Sequence, residues 1–176
     1  MYLGLDLSLT ATGVATLGVA GFIVETLVTD KKRGNDRLQF IRERIGLRLE
    51  GCKGVGIEGY AMGSKFNREA MGELGGIIRL LIWERGIPYV NIAPTALKKF
   101  ATGNGGKGEK GLVMVEVFKR YGISVEDNNQ ADAIVLAHMA EHHFEGKSPA
   151  FSYQKDALAK LETVPPFEPL VRKRTR

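Results

Sequence analysis

Residues 1–17, MYLGLDLSLTATGVATL, put one acid, Asp6, into an otherwise apolar strand, with a Thr-rich turn and a second apolar run behind it. An ionised carboxylate is costly to remove from water unless it is paired or bound to a cation. Asp6 therefore either meets a loop donor or borders a cation site. Residues 2–8 read as a first strand, 12–18 (TGVATLG) as a second and 20–29 (AGFIVETLVT) as a third. The links between them are short and carry Gly13, Gly18 and Gly21, which predicts an antiparallel meander.

The chain then changes period. Leu38, Ile41, Ile45 and Leu49 recur at helical spacing among Arg and Glu, predicting an amphipathic helix from about Asn35 to Glu50 that ends at Gly51. KGVGIEGY follows as a short fourth strand that closes on a second acid, Glu58. Residues 67–85 form the next helix. Its Gly72, Gly75 and Gly76 each cost about 1 kcal/mol against Ala, so they point to close packing, on the sheet or on a second subunit. IPYVNI is a fifth strand, and PTALKKFAT a short helix with Pro94 in its first turn. Residues 102–110, TGNGGKGEK, suit a basic loop but not a Walker phosphate loop, which needs Gly-Lys-Ser/Thr after a strand. A helix over 109–121 follows, then EDNNQADAIVLAHMAEHHF, 126–144, a helix capped by Asp127 or Asn128.

Size and charge bound the function. The chain has 176 residues, which suits one domain: residues 1–146, followed by a Pro-containing basic tail, 147–176, with a short helix over 153–162. A formal charge of +5 suits a polyanionic partner, nucleic acid first. Between Thr95 and Gly122 lie Lys98, Lys99, Lys107, Lys110, Lys119 and Arg120, either a solvated face or a set of phosphate contacts. One cysteine, Cys52, allows no internal disulfide and suits a reducing compartment, so the expected location is the cytoplasm. No apolar stretch approaches a membrane span, and no signal peptide is expected.

A third acid, Asp132, sits in the first turns of the last helix, just before AIVLA. The helix dipole alone would favour an acid there, but the apolar run behind it predicts a carboxylate against the sheet. With strands ordered 3-2-1-4-5, the first and fourth are parallel neighbours, so Asp6 and Glu58 stand side by side and the last helix adds Asp132. Three converging carboxylates repel one another, and a hard divalent cation resolves that repulsion.

Four blocks, GLDLSLTATGVA, IEGYAMGSK, GEKGLVMVE and NQADAIVLAHMA, resemble in order and spacing those of RuvC-type Holliday junction resolvases, of the ribonuclease H-like superfamily. The likeness runs from residue 2 to about 144, and the irregular loops look more like the phage branch than the bacterial one. It implies an α/β fold, a mixed five-stranded sheet in the order 3-2-1-4-5 flanked by helices. It implies Mg²⁺ or Mn²⁺, two ions per subunit, held by Asp6, Glu58 and Asp132. The family's fourth ligand, an Asp or His, falls at Asn129, a departure that leaves Asn129 or the nearby Asp127 for the role. Lys110 matches the family's catalytic lysine and Lys98 a second basic position. The wedging aromatic of bacterial members falls at Ala61, so Tyr60 or Phe66 takes its place. The DNA-binding set is then Tyr60, Lys65, Phe66, Lys98, Lys99, Lys107 and Lys110.

What the resemblance implies is a structure-selective endonuclease that hydrolyses phosphodiesters of branched DNA. It would leave 5′-phosphate and 3′-hydroxyl ends, with one ion aiding the attacking water and the other the leaving oxygen. A four-way junction is two-fold symmetric, so paired nicks suit a homodimer. No nucleotide cofactor or membrane is expected. The rivals are a junction-binding protein without activity, which Asn129 keeps open, and an RNA-processing nuclease of the same superfamily. A sugar-kinase-like ATPase would need a duplicated domain, for which the chain is too short.

Overall fold

Alternate residues of the first strand serve opposite layers, as strand pleating requires. In the computed structural model, which describes residues 1–59, 68–106 and 111–167, β1 (Tyr2–Asp6) turns Leu3 and Leu5 into one core and leaves Gly4 against a helix on the other side. β2 (Ala11–Gly18) and β3 (Gly21–Val28) complete the expected meander, with Asp6 level with Gly13 and Gly13 level with Thr26. The turn from β1 to β2 is tied by side chains: Thr12 Oγ1 donates to Ser8 O at 2.6 Å and accepts from Ser8 N at 3.1 Å.

α1 (Gly34–Gly46) buries Leu38, Ile41 and Ile45. It stops short of Gly51 because the chain tightens there, with Arg48 N bonding Ile45 O rather than the carbonyl four residues back. β4 (Gly54–Glu58) lies parallel to β1, and α2 (Arg68–Glu84) returns on the same face as α1. β5 (Tyr89–Ile92) is parallel to β4. α3 (Pro94–Thr102), α4 (Leu112–Tyr121) and α5 (Asn128–Glu145) fill the second face, together with α6 (Ser152–Leu158). The result is three layers, two helices under the sheet and four over it.

The strand order is β3-β2-β1-β4-β5, as the sequence predicts, with one addition. A sixth strand, β6 (Thr163–Val164), pairs antiparallel with β5 and covers its edge, so the sheet has six strands where five are expected. Two residues are too few for a periodic pattern, and their pairing is decided by neighbours: His143 shares a 2.8 Å hydrogen bond with Thr163, and Phe167 N bonds Trp83 O with the rings 4.5 Å apart. The segment assigned to the tail thus contributes α6 and β6 to the body. The α2 glycines divide: Gly75 is buried, whereas a Cβ on Gly72 or Gly76 would meet nothing within 4 Å. Burial therefore separates the first from the other two. No helix among the described residues is long and apolar enough to cross a membrane.

Candidate active site

Two same-face pairs, Gly4 with Asp6 and Gly56 with Glu58, run up adjacent parallel strands. Leu5 is level with Ile57, so the next step of the ladder sets Asp6 beside Glu58, strands being about 4.8 Å apart. Each glycine is there to let α5 down onto the sheet. A Cβ would fall 2.0 Å from Ala133 O at Gly4, 2.1 Å from Asn129 O at Gly13 and 2.4 Å from Leu136 O at Gly56. Contacts that close are impossible for any side chain, so the backbone of α5 rests directly on β2, β1 and β4. Buried Ala131, Ala133, Ala137 and Ala140 keep the helix side of that contact small. Asp132, between two of these alanines, is thereby brought to the upper end of the sheet where Asp6 and Glu58 stand.

The electrostatics record the convergence. Burial pushes the Asp6 carboxyl far above the usual carboxylate range, and the charge of Glu58, a hydrogen bond with Glu58 and the charges of Asp132 and Asp127 add to it. Glu58 is raised by burial, against which its hydrogen bond to Asp6 and the charge of Lys98 act. A hydrogen bond between two carboxyls needs a proton on one, and burial, which raises both, favours the pair holding one between them. Asp132 is pushed up to about 7, first by burial, then by Glu58, with Lys98 opposing. The donors are all hard oxygens that repel one another, which is the chemistry of a divalent cation site. Among the described residues, no three His, Cys, Asp or Glu side chains form a ready-made ligand cluster. Asp6 and Glu58 instead stand as a protonated pair, with Asp132 acting on them through space.

Other expected site residues have commitments of their own. Asp127 is the N-cap of α5: its Oδ1 accepts from Gln130 N and its Oδ2 from Thr26 Oγ1, both at 2.8 Å. Asp127 is thus the cap of α5, each oxygen accepting one hydrogen bond, and its charge also acts on Asp6. Asn129 is half-buried in the first turn, its backbone carbonyl over Gly13. Lys98 on α3 is exposed, and its charge reaches Glu58 and Asp132. Its neighbour Lys99 turns the other way and pairs with Asp156 of α6 at 2.9 Å. Lys119 pairs with Glu116, and Arg120 donates to Ala101 O and Tyr153 Oη, so neither is spent on a phosphate. Tyr60, Lys65, Phe66, Lys107 and Lys110 lie outside the described residues.

Sequence reading passed over Arg79, whose Nε donates to Asn91 Oδ1 at 2.8 Å and whose Nη2 donates to Glu58 O at 3.3 Å, tying the end of β4 to β5. Nothing in its helical neighbourhood marks it. The glycines were legible: a Gly two residues before each strand acid shares its face.

Two solved structures share this architecture. That of Thermus thermophilus RuvC has a TM-score of 0.66 and 21% identity, over 83% of this chain and 95% of that one. The chain has the RuvC fold. T. thermophilus RuvC in complex with Holliday junction substrate gives 0.68 and 20%, over 83% of this chain and 94% of RuvC. No protein-family model and no curated protein matches the sequence. The RuvC likeness thus spans the sheet and its helices while only about one residue in five is shared, as expected when a fold tolerates wide hydrophobic substitution.

Proposed function

We propose that this chain is a structure-selective DNA endonuclease that resolves Holliday junctions and related branched DNA by metal-dependent phosphodiester hydrolysis, acting as a homodimer. The observation that carries it is the register that sets Asp6 beside Glu58 on a RuvC sheet, under a helix that brings Asp132 to the same end. T. thermophilus RuvC in complex with Holliday junction substrate supports the choice of DNA.

Asp6, Glu58 and Asp132, with the Asn129 carbonyl oxygen, would hold Mg²⁺ or Mn²⁺, two ions per subunit. Ions bound there supply Lewis-acid stabilisation to the scissile phosphate and to the attacking and leaving oxygens. The chain's own residues position the rest. Asp6 is the carboxylate on which the charges of both Glu58 and Asp132 act. Lys98 draws a phosphodiester toward the acids and offsets their repulsion. Arg79 keeps the end of β4 in place. By the family resemblance Lys110 would offset charge on the phosphate in the transition state. Paired nicks on a two-fold junction suit two copies joined through the outer face of α2, where Gly72 and Gly76 are open and Leu80 is 52% exposed.

Nicking of a synthetic four-way junction tests the reading. Paired nicks in Mg²⁺ or Mn²⁺, absent with Asp6→Asn and absent on a linear duplex, are expected. Binding without nicking in either metal would assign the chain to junction binding alone, as Asn129 in place of an acid would favour. Preferential cleavage of RNA would assign it to the RNA-processing branch.

A further inference from the structure

Unneutralised positive charge gathers on the flank of the site opposite Lys98. We propose that the turn after β3 together with the first turn of α1, residues 29–37, is a second phosphate-contacting surface that holds a duplex DNA arm leading into the acids. Its ligand rests on the nuclease reading above; its position rests on the fold alone.

Thr26 is level with Gly13 and Gly13 with Asp6, so β3 ends at Val28, two residues beyond the level of Asp6 at the same end of the sheet. Thr29 anchors the segment there. It is 1% exposed, its N donates to Thr10 O at 3.1 Å and its Oγ1 to Leu9 O at 2.7 Å. The chain then turns sharply, with Asp30 at φ 41° and Lys32 N bonded to Thr29 O at 2.8 Å. Lys31, Lys32 and Arg33 stand exposed, and Arg37 follows on α1.

None of these four cations pairs with a carboxylate among the described residues. Arg33 Nη1 donates to Asp30 O and Lys32 O, and Arg37 Nε and Nη2 donate to Lys32 O, all at 2.9–3.0 Å. Lys32 Nζ lies 5.1 Å from the Phe40 ring centroid. Bonds to neutral carbonyls hold the side chains in place and leave their charge uncancelled. Further along the same helix layer carboxylate is present: Arg44 and Arg48 share Glu25 at 3.2 and 2.6 Å. The four cations outnumber Asp30 and Asp36, a surplus of two over residues 30–37.

The spacing suits a duplex. β3 and β5 are separated by four ladder spacings, about 19 Å at roughly 4.8 Å each. That is about five to six base-pair rises of 3.4 Å. DNA laid across this end of the sheet would meet Lys31, Lys32 and Arg33 on one flank, the carboxyls in the middle and Lys98 on the other. Contacts to phosphate orient the duplex and carry no sequence information. The segment therefore governs affinity and not the chemical step.

The test is the salt dependence of binding by the full chain, in EDTA so that no strand is cut, on a linear duplex and on a four-way junction. The triple variant Lys31→Gln/Lys32→Gln/Arg33→Gln is compared with wild type and with Lys53→Gln/Arg85→Gln, which removes charge from the opposite end of the sheet. Between about 50 and 200 mM salt, the slope of log K against log salt should be shallower by about 2 to 3 in the triple variant on both DNAs, and by about 1 or less in the far-end variant. An unchanged slope in the triple variant, with the thermal unfolding of wild type, would overturn the surface; so would an equal change in the far-end variant. Junction nicking by wild type alongside an unchanged slope would sink this surface and leave the nuclease reading standing. Duplex binding with the expected slope but no nicking would do the reverse.

Discussion

Asp6 is 8% exposed, shares a proton with Glu58 and feels two further acids, so it is poorly accommodated without a cation. Replacing it by Asn keeps a donor for Glu58 and removes the need to take up a proton on folding at neutral pH, where the same carboxyl is ionised in the unfolded chain. Asp6→Asn should raise the melting temperature of the metal-free protein by about 2–4 °C, equivalent to roughly 1 kcal/mol in a domain of this size. Scanning calorimetry in EDTA reads this, and adding Mn²⁺ should raise the wild type but not the variant. His138 is a second residue with a readable charge state. Burial, then the charge of His142, holds it down at about 4, and it shares a hydrogen bond with Tyr121. The unfolded chain protonates it near the ordinary histidine value, about 6.5. Acid therefore favours unfolding: the stability is complete above about 6.5 and is lost as pH falls toward 4, up to about 3 kcal/mol. Urea titrations at pH 7 and pH 4.5 should show His138→Gln losing less stability on acidification than wild type.

At the scale of elements, the contact of α5 with the sheet is decided by three glycines. A methyl at Gly4 would collide with Ala133 O, which is backbone and cannot rotate away. Gly4→Ala should cost about 3 kcal/mol, the upper part of the range for overpacked cores, or roughly 6–12 °C. It should also abolish nicking while Asp6, Glu58 and Asp132 are all intact, because the helix that carries Asp132 is lifted. Gly76→Ala, where a Cβ meets open space, should not lower the melting temperature. Comparing the two melting curves checks the assignment of close packing to α5 and not to the outer face of α2.

Among the described residues, one face of α2 is left open by the fold. Gly72, Gly76 and Leu80 recur every four residues along α2, so they form one stripe. If two copies join there, Leu80→Glu should shift the protein from dimer to monomer in light scattering. Its nicks on a junction should then become independent, yielding singly nicked product where the wild type gives paired cuts.

Much of this was legible in the residues. Strand alternation around Asp6 and Glu58 and the helical recurrence of Leu38, Ile41 and Ile45 are local patterns, set by the period of each element. They determined the element order and, with parallel β1 and β4, the juxtaposition of the first two acids. What the tertiary structure alone decided is where long side chains spend their charge. Lys98 and Lys99 are adjacent in sequence, yet one faces the acids and the other faces Asp156, because α6 docks on that side of α3. Asp127 or Asn128 reads equally well as the cap of the last helix, and it is Thr26, a hundred residues away, that fastens Asp127 in that place through its second oxygen. β6 has no pattern of its own and exists because β5 offers it an open edge. Periodicity is a property of neighbours along the chain, whereas charge pairing and edge pairing depend on partners that only folding brings near.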